Sequence, residues 1–317
     1  MHIQQNWMLS GHGKKKLRKF FRNTRKRKCG QLPEIILMKS KFSKQPKKDA
    51  AHEIEGAIRS SNVWGVKNHL PACDPGEDDR TMEMHRRTLV KQYNVHHYNR
   101  KMSVLQVAMN KTFSWRRKLI IEDGCVAELF DKFPLLKEPR QIIDEFKRLT
   151  ELDVDLCFQQ HLSKNAAKII RLQPPKLHID PNLMETISCE ATCDEKYQMS
   201  MVLLPHLLRE DASNLFQNFG KKTFVQICAT GHVPTLSDVF RTGATYRVVI
   251  DGNETDATDS LIMAFEVVFA LHYLFNLAYP TCLEAFFSFI QKHIIKLKDG
   301  TAPNSKALKL ISKLNEI

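Results

Sequence analysis

Ten cations fall within fifteen residues near the start of the chain: Lys14, Lys15, Lys16, Arg18, Lys19, Arg22, Arg25, Lys26, Arg27 and Lys28. A segment this dense in charge neutralises several phosphates at once and releases their counterions, so its binding falls steeply with salt. Phe20 and Phe21 lie inside the run, and aromatic rings of that kind stack on unpaired bases. The same runs, KKKLRKF and RNTRKRK, have the composition of a nuclear-import signal, of a patch for anionic membrane surfaces, or of a solvated tail. Import and nucleic-acid contact are the two readings carried forward.

Other residues could do chemistry, and each has a plainer reading. Cys189 and Cys193, in SCEATC, have a spacing found in zinc sites. A structural zinc site needs four ligands, and only Cys73, His178 and His206 are available, without paired spacing. The two are read as thiols of a helix surface or core. His96 and His97, flanked by Tyr93 and Tyr98, are adjacent; neighbours on a helix point about 100° apart, so they read as a loop or surface pair.

Asp153 with Asp155, and Asp251, Glu254, Asp256 and Asp259, could hold Mg²⁺ in a nuclease. Both groups precede expected helices, where acids cap the first turn and favour the helix dipole, and capping is the expectation. Arg116 and Arg117 interrupt an apolar stripe after Trp115. Phosphate or partner-acid binding is one reading; a buried or half-buried ion pair with a carboxylate such as Glu122 or Asp144, anchoring adjacent helices, is the expected one.

Neither a nucleophile elbow, nor a phosphate-cradling glycine loop, nor an H-E-x-x-H helix, nor a dinucleotide fingerprint occurs. With 12 glycines in 317 residues, no cofactor or metal site is read from the sequence. The expectation is a non-enzymatic interaction or regulatory protein, with a cryptic nucleic-acid-processing enzyme of mobile-element origin as the alternative. Eight scattered cysteines and a start without an apolar h-region lead to a nuclear or cytoplasmic expectation, nuclear favoured. Protein partners are expected, nucleic acid is an open alternative to import factors as the arm's partner, and a membrane is not expected.

The net charge of +13 is unevenly placed. Up to Lys48 the chain holds 15 of its 48 Lys and Arg and one of its 35 acids, Glu34, a charge of +14; the rest sums to −1. Residues 1–55 therefore read as a disordered basic arm that stays extended until an anion neutralises it. Residues 56–79, with Pro71 and Pro75, read as a linker. A helical region is expected over 80–210, and a small sheet packed with buried helices over 211–317, either separate or one domain with 80–210.

Helices are expected at Arg80–Asn94, Lys101–Glu122, Val126–Phe133, from Pro139 through Leu149, at Leu152–Leu172 and at Tyr197–Leu208, where Pro205 kinks or ends the run. Thr223–Ala229 and Ala244–Ile250 read as strands, with a turn at Asp251-Gly252-Asn253. Thr258–Ala278, Thr281–Lys298 and Ser305–Leu314 read as helices. The segment Leu261–Tyr279 holds Glu266, His272 and Asn276, which makes it a buried core helix rather than a membrane span. The fold class is mostly α with a small late β-sheet, an α+β body behind the arm.

Two stretches in this order carry a resemblance. One is TFSWRRKLIIEDGCVAELFDKFPLLKEPRQIIDEFKRLT (112–150); the other is LIMAFEVVFALHYLFNLAYPTCLEAFFSFIQKHI (261–294). Together they resemble the C-terminal region of the family of sterile alpha motif domain-containing protein 3 and its fish relatives, from about residue 15 onward and including the arm. The family is named for an N-terminal helical interaction module, and this chain is expected to lack it. The resemblance implies the domain boundaries and no catalytic residue.

Overall fold

The computed structural model describes residues 70–122, 125–172, 174, 191–216, 225–229, 243–297 and 302–317. The basic arm with all ten of its candidate binding residues lies outside them, as do Cys29, His178 and Cys189.

Helix α1 (Asp79–Tyr93) begins where its sequence demands. The Asp78 carboxylate accepts from the Thr81 amide at 2.7 Å, and Thr81 Oγ1 accepts from the Asp78 amide at 2.8 Å. Two otherwise orphaned N–H groups are satisfied by this reciprocal cap, which contributes about 1 kcal/mol. The expected single helix over Lys101–Glu122 is two, α2 (Met102–Lys111) and α3 (Phe113–Glu122). The interruption is Thr112, whose hydroxyl turns back to donate to the Ala108 carbonyl at 2.7 Å, a bond that competes with regular helix geometry. Helix α4 (Val126–Lys132) stops before Pro134, which opens a 3₁₀ turn, Pro134–Lys137. Helix α5 (Pro139–Thr150) starts with proline at its first position, where no amide is needed.

Helix α6 (Val154–Arg171) is capped by Asp153, which accepts from the Leu156 amide at 3.1 Å. Helix α7 (Cys193–Leu207) starts four residues before the expected Tyr197, because Thr192 and Glu195 form a second reciprocal cap. Pro205 falls in its last turn. Strands β1 (Gln226–Ala229), β2 (Tyr246–Ile250) and β3 (Asn253–Glu254) form one antiparallel sheet in that order. Asp251 and Gly252, at φ 49° and 80°, join β2 to β3; two consecutive left-handed residues match the twist of a tight hairpin.

Helix α8 (Leu261–Leu274) packs against α5, α6, α7, β1 and β2. It is apolar on every side, and all but two of its residues are buried. At 1.5 Å per residue it is about 21 Å long, short of a bilayer core. Among the described residues no helix is long and apolar enough to cross a membrane. The expected helix Thr281–Lys298 is shorter and changes character: α9 (Glu284–Phe289) runs into a π turn, Ile290–Ile294. Helix α10 (Ser305–Glu316) then packs on α9 and α6. One continuous apolar core runs from Leu89 on α1 to Leu314 on α10. The six described cysteines are exposed or half-buried rather than in that core.

Glu266 is the exception within α8. It is 2% exposed, and its Oε1 has no hydrogen-bond partner. Burial, seconded by Asp155, pushes its carboxyl up to about 8, with Arg140 offsetting in part. A folded-state value above the unfolded 4.5 favours the fold below that pH and disfavours it as pH rises through about 8. Glu266→Gln is therefore expected to be near neutral at pH 5 and to stabilise at pH 8, by on the order of 3 kcal/mol, in urea denaturation at both pH values.

Candidate functional site

An open groove of about 570 Å³ lies where the end of α1, the start of α5 and the segment after β3 meet. Its scaffold is Arg100. The guanidinium contacts both oxygens of Glu138 at 2.6 and 2.8 Å, and donates to the carbonyls of Val95 at 3.0 Å and Tyr93 at 3.2 Å. One planar cation thereby ties the 94–100 loop to the residue preceding α5, using the fixed fork of its donors.

The opposite wall is set by the sheet. Thr255 continues the β2 ladder, with its amide donating to the Val248 carbonyl and its hydroxyl accepting from the Val248 amide, both at 2.9 Å. The next amide, Asp256, donates to the Lys137 carbonyl at 2.8 Å. This places the half-buried Asp256 carboxylate in the groove; Lys137, Arg247 and Arg100 act on it only at longer range. Burial pushes the carboxyls of both Asp256 and Glu138 up, and burial, seconded by each of these acids, also raises the Tyr93 hydroxyl. At the rim, His96, His97 and Tyr98 stack on one another in an exposed turn, with centroids 3.8–5.4 Å apart. This matches the surface reading of the histidine pair.

The acid groups divide. Asp153 caps α6 as expected, and Asp155 receives bonds from Arg140 at 3.0 Å and Gln159 at 2.8 Å. The second group does not cap α8: Ser260 does, accepting from the Met263 amide at 3.1 Å. Asp251 sits in the hairpin turn, Glu254 pairs with Arg247 at 3.4 Å, and Asp256 faces the groove. A hydroxyl one residue before the helix has the right reach for the cap, so the preceding acids are left to the sheet and loop. Among the described residues no three His, Cys, Asp or Glu side chains are placed to hold a metal ion.

The paired arginines form a second constellation, inside the body. Arg116 is fully buried and grips Glu145 with two bonds, Nε to Oε1 at 2.8 Å and Nη2 to Oε2 at 2.7 Å. It also donates to the Met109 carbonyl at 2.8 Å and to Thr112 Oγ1. The rings of Phe113 and Phe133 lie 5.9 and 5.6 Å from its guanidinium carbon. Arg148 reaches the same carboxylate at 3.2 Å and bonds Asn110 and Gln106. The expected partners, Glu122 and Asp144, are both incorrect. Glu122 ends α3 in solvent, and Asp144 faces Arg140 on the outer side of α5. Glu145 was recoverable from the stripe Ile142, Phe146, Leu149, since position 145 shares that inward face.

Arg117 points the other way. Its Nη1 donates to the Leu274 carbonyl at 2.7 Å, at the C-terminus of α8. Burial pulls its guanidinium down to about 10, with Glu145 offsetting in part, so it stays charged at neutral pH. A cation completes the last carbonyls of a helix and meets the negative end of its dipole. The adjacent arginines thus fasten α3 to α5 and to α8 at once.

A fold of this kind, a helical body around one buried helix with a small sheet at its flank, defines an α+β scaffold. Residues 82–138, from α1 to the groove's Glu138, match the family model of the helical domain of sterile alpha motif domain-containing protein 3. This supports the resemblance over that segment, and the second stretch that carried it, 261–294, lies beyond the match. Comparison with curated proteins and with solved structures returns no significant match.

Replacing Arg117 with Met keeps the stem and removes the donor that satisfies Leu274. Loss of about 2–3 kcal/mol in chemical denaturation is expected, with faster amide exchange confined to the end of α8.

Proposed function

We propose that this chain is a non-enzymatic interaction and regulatory protein, whose helical body docks protein partners and whose basic arm serves nuclear import or contact with nucleic acid. The observation that carries the reading is the charge partition, +14 up to Lys48 against −1 for everything after it. A polycation attached to a neutral body acts on acidic partners independently of the body's own surface. The buried ionic groups of the body support the same reading. Arg116, Arg148 and Glu145 satisfy one another, and Arg117 serves a helix end. On the surface, the groove offers a half-buried carboxylate beside the aromatic turn His96–Tyr98, the chemistry that receives a lysine or arginine side chain of a partner protein.

Two measurements test this. Deleting residues 14–28 from a tagged chain is expected to shift it from nucleus to cytoplasm, and an unchanged distribution contradicts the import role. Affinity capture from nuclear and cytosolic extracts, with and without nuclease, separates the arm from the body. Partners that survive nuclease and vanish in Asp256→Asn support docking at the groove. Capture abolished entirely by nuclease assigns the association to nucleic acid.

A further inference from the structure

Helix α6 meets the π turn through two histidines. The rings of His161 and His293 lie 4.9 Å apart and nearly perpendicular, and the Phe289 ring packs against both, at 5.7 and 5.0 Å. His161 is buried, and His293 is half-buried at the edge of the contact. The Asn165 amide lies 3.3 Å from His161 Nδ1, which makes that nitrogen an acceptor and puts the ring proton on Nε2. Nε2 itself is buried and has no hydrogen-bond partner. A second proton would set a donor against the Asn165 donor and place a full charge in an apolar slot.

Among the described residues, nothing relieves that charge. From the π-turn side, His293 and Lys296 face His161, and both oppose its protonation; Lys296 likewise opposes that of His293. Among the described residues, helices α5, α7, α8 and α10, also packed on α6, contribute no charge that acts on either ring. The π turn departs from regular helix geometry. The Ile295 amide bonds the Ile290 carbonyl five residues back, and the turn ends with the Leu297 amide on the Gln291 carbonyl around Lys296, whose φ of 58° is left-handed, a costly conformation for a side-chain-bearing residue. Beyond it, α10 is held to α6 by the Lys168 ammonium on the Leu314 carbonyl at 2.9 Å, and by burial of Leu310 and Leu314.

We infer that the His161–His293 contact is an acid-sensitive latch, which holds the π turn and α10 against α6 near neutral pH and releases them on mild acidification. Opening exposes the apolar stripe Ala307, Leu310 and Leu314 as a surface that is covered at neutral pH. Burial, His293 and Lys296 hold His161 down to about 3, against an ordinary 6.5, and burial with Lys296 depresses His293. A histidine whose value is depressed in the closed form loses its contribution to closure as pH falls below 6.5. At pH 5.5, one unit below that value, opening is favoured about tenfold by His161 alone, and further by His293.

Hydrogen exchange of the full chain at pH 7.5 and 5.5, corrected for intrinsic rates, tests the latch. Peptides covering 290–297 and 305–316 are expected to exchange about tenfold faster or more at pH 5.5, while 139–150 stays unchanged. In the His161→Leu, His293→Gln double variant this acid response is expected to disappear. Acid opening that persists in the double variant overturns the inference, as does unchanged protection of the wild-type segment at pH 5.5. Should the double variant fail to fold, imidazole proton resonances of the wild type decide. Titration of the His161 ring must coincide with loss of C-terminal protection, and an ordinary titration near 6.5 with protection intact overturns the latch.

Discussion

The ion pair between Arg116 and Glu145 is the constraint around which the body is arranged, because neither charge has access to water. Bringing both out of solvent costs several kcal/mol per ion, recovered only if geometry is close and every remaining donor is met. Both conditions hold. Each carboxylate oxygen takes a bond from Arg116, the remaining donors find Met109 and Thr112, and Arg148 adds a second cation from the half-exposed side. Helices α2, α3 and α5 are therefore fixed in mutual register by chemistry that tolerates little displacement. Apolar packing alone would accept repacking with small losses.

From that anchor the chain order explains the centre of the fold. Arg117 is one residue along and so projects to a different side of α3, where it meets the C-terminus of α8. The end residues of α8 are apolar, so Ser260 closes one end and Arg117 assists the other. The polar groups left on α8 are then unusual. His272 Nδ1 donates to the Val268 carbonyl, 2.8 Å away, and burial pulls the ring down to about 4. Glu266 is held protonated near neutral pH by the same burial. The two ionisable groups buried within α8, Glu266 and His272, are thus both uncharged near neutral pH.

Much of the helical order was legible because local signals are strong. The caps at Asp78 and Asp153, the first-turn Pro139 and the stop at Pro134 lie where short-range chemistry places them. The hairpin at Asp251-Gly252 follows equally directly from turn chemistry. What was illegible depended on contacts distant in sequence. Thr112 reads as a helix residue until Arg116 needs its hydroxyl, and the π turn at 290–294 leaves no periodic trace. The groove draws its walls from residues 93–100, 138–139 and 256–257, which no spacing rule connects. Its Asp256 reads as a helix-capping acid, and only the continuation of the β2 ladder through Thr255 turns it to the groove.

A double-mutant cycle on Arg116→Met and Glu145→Met, followed by equilibrium unfolding, tests most directly whether the buried pair organises the body. Each single substitution strands a buried charge and is expected to cost about 3–5 kcal/mol, with the double variant costing far less than the two combined. Costs that add to within about 0.5 kcal/mol contradict the account, because they mean the two side chains act independently.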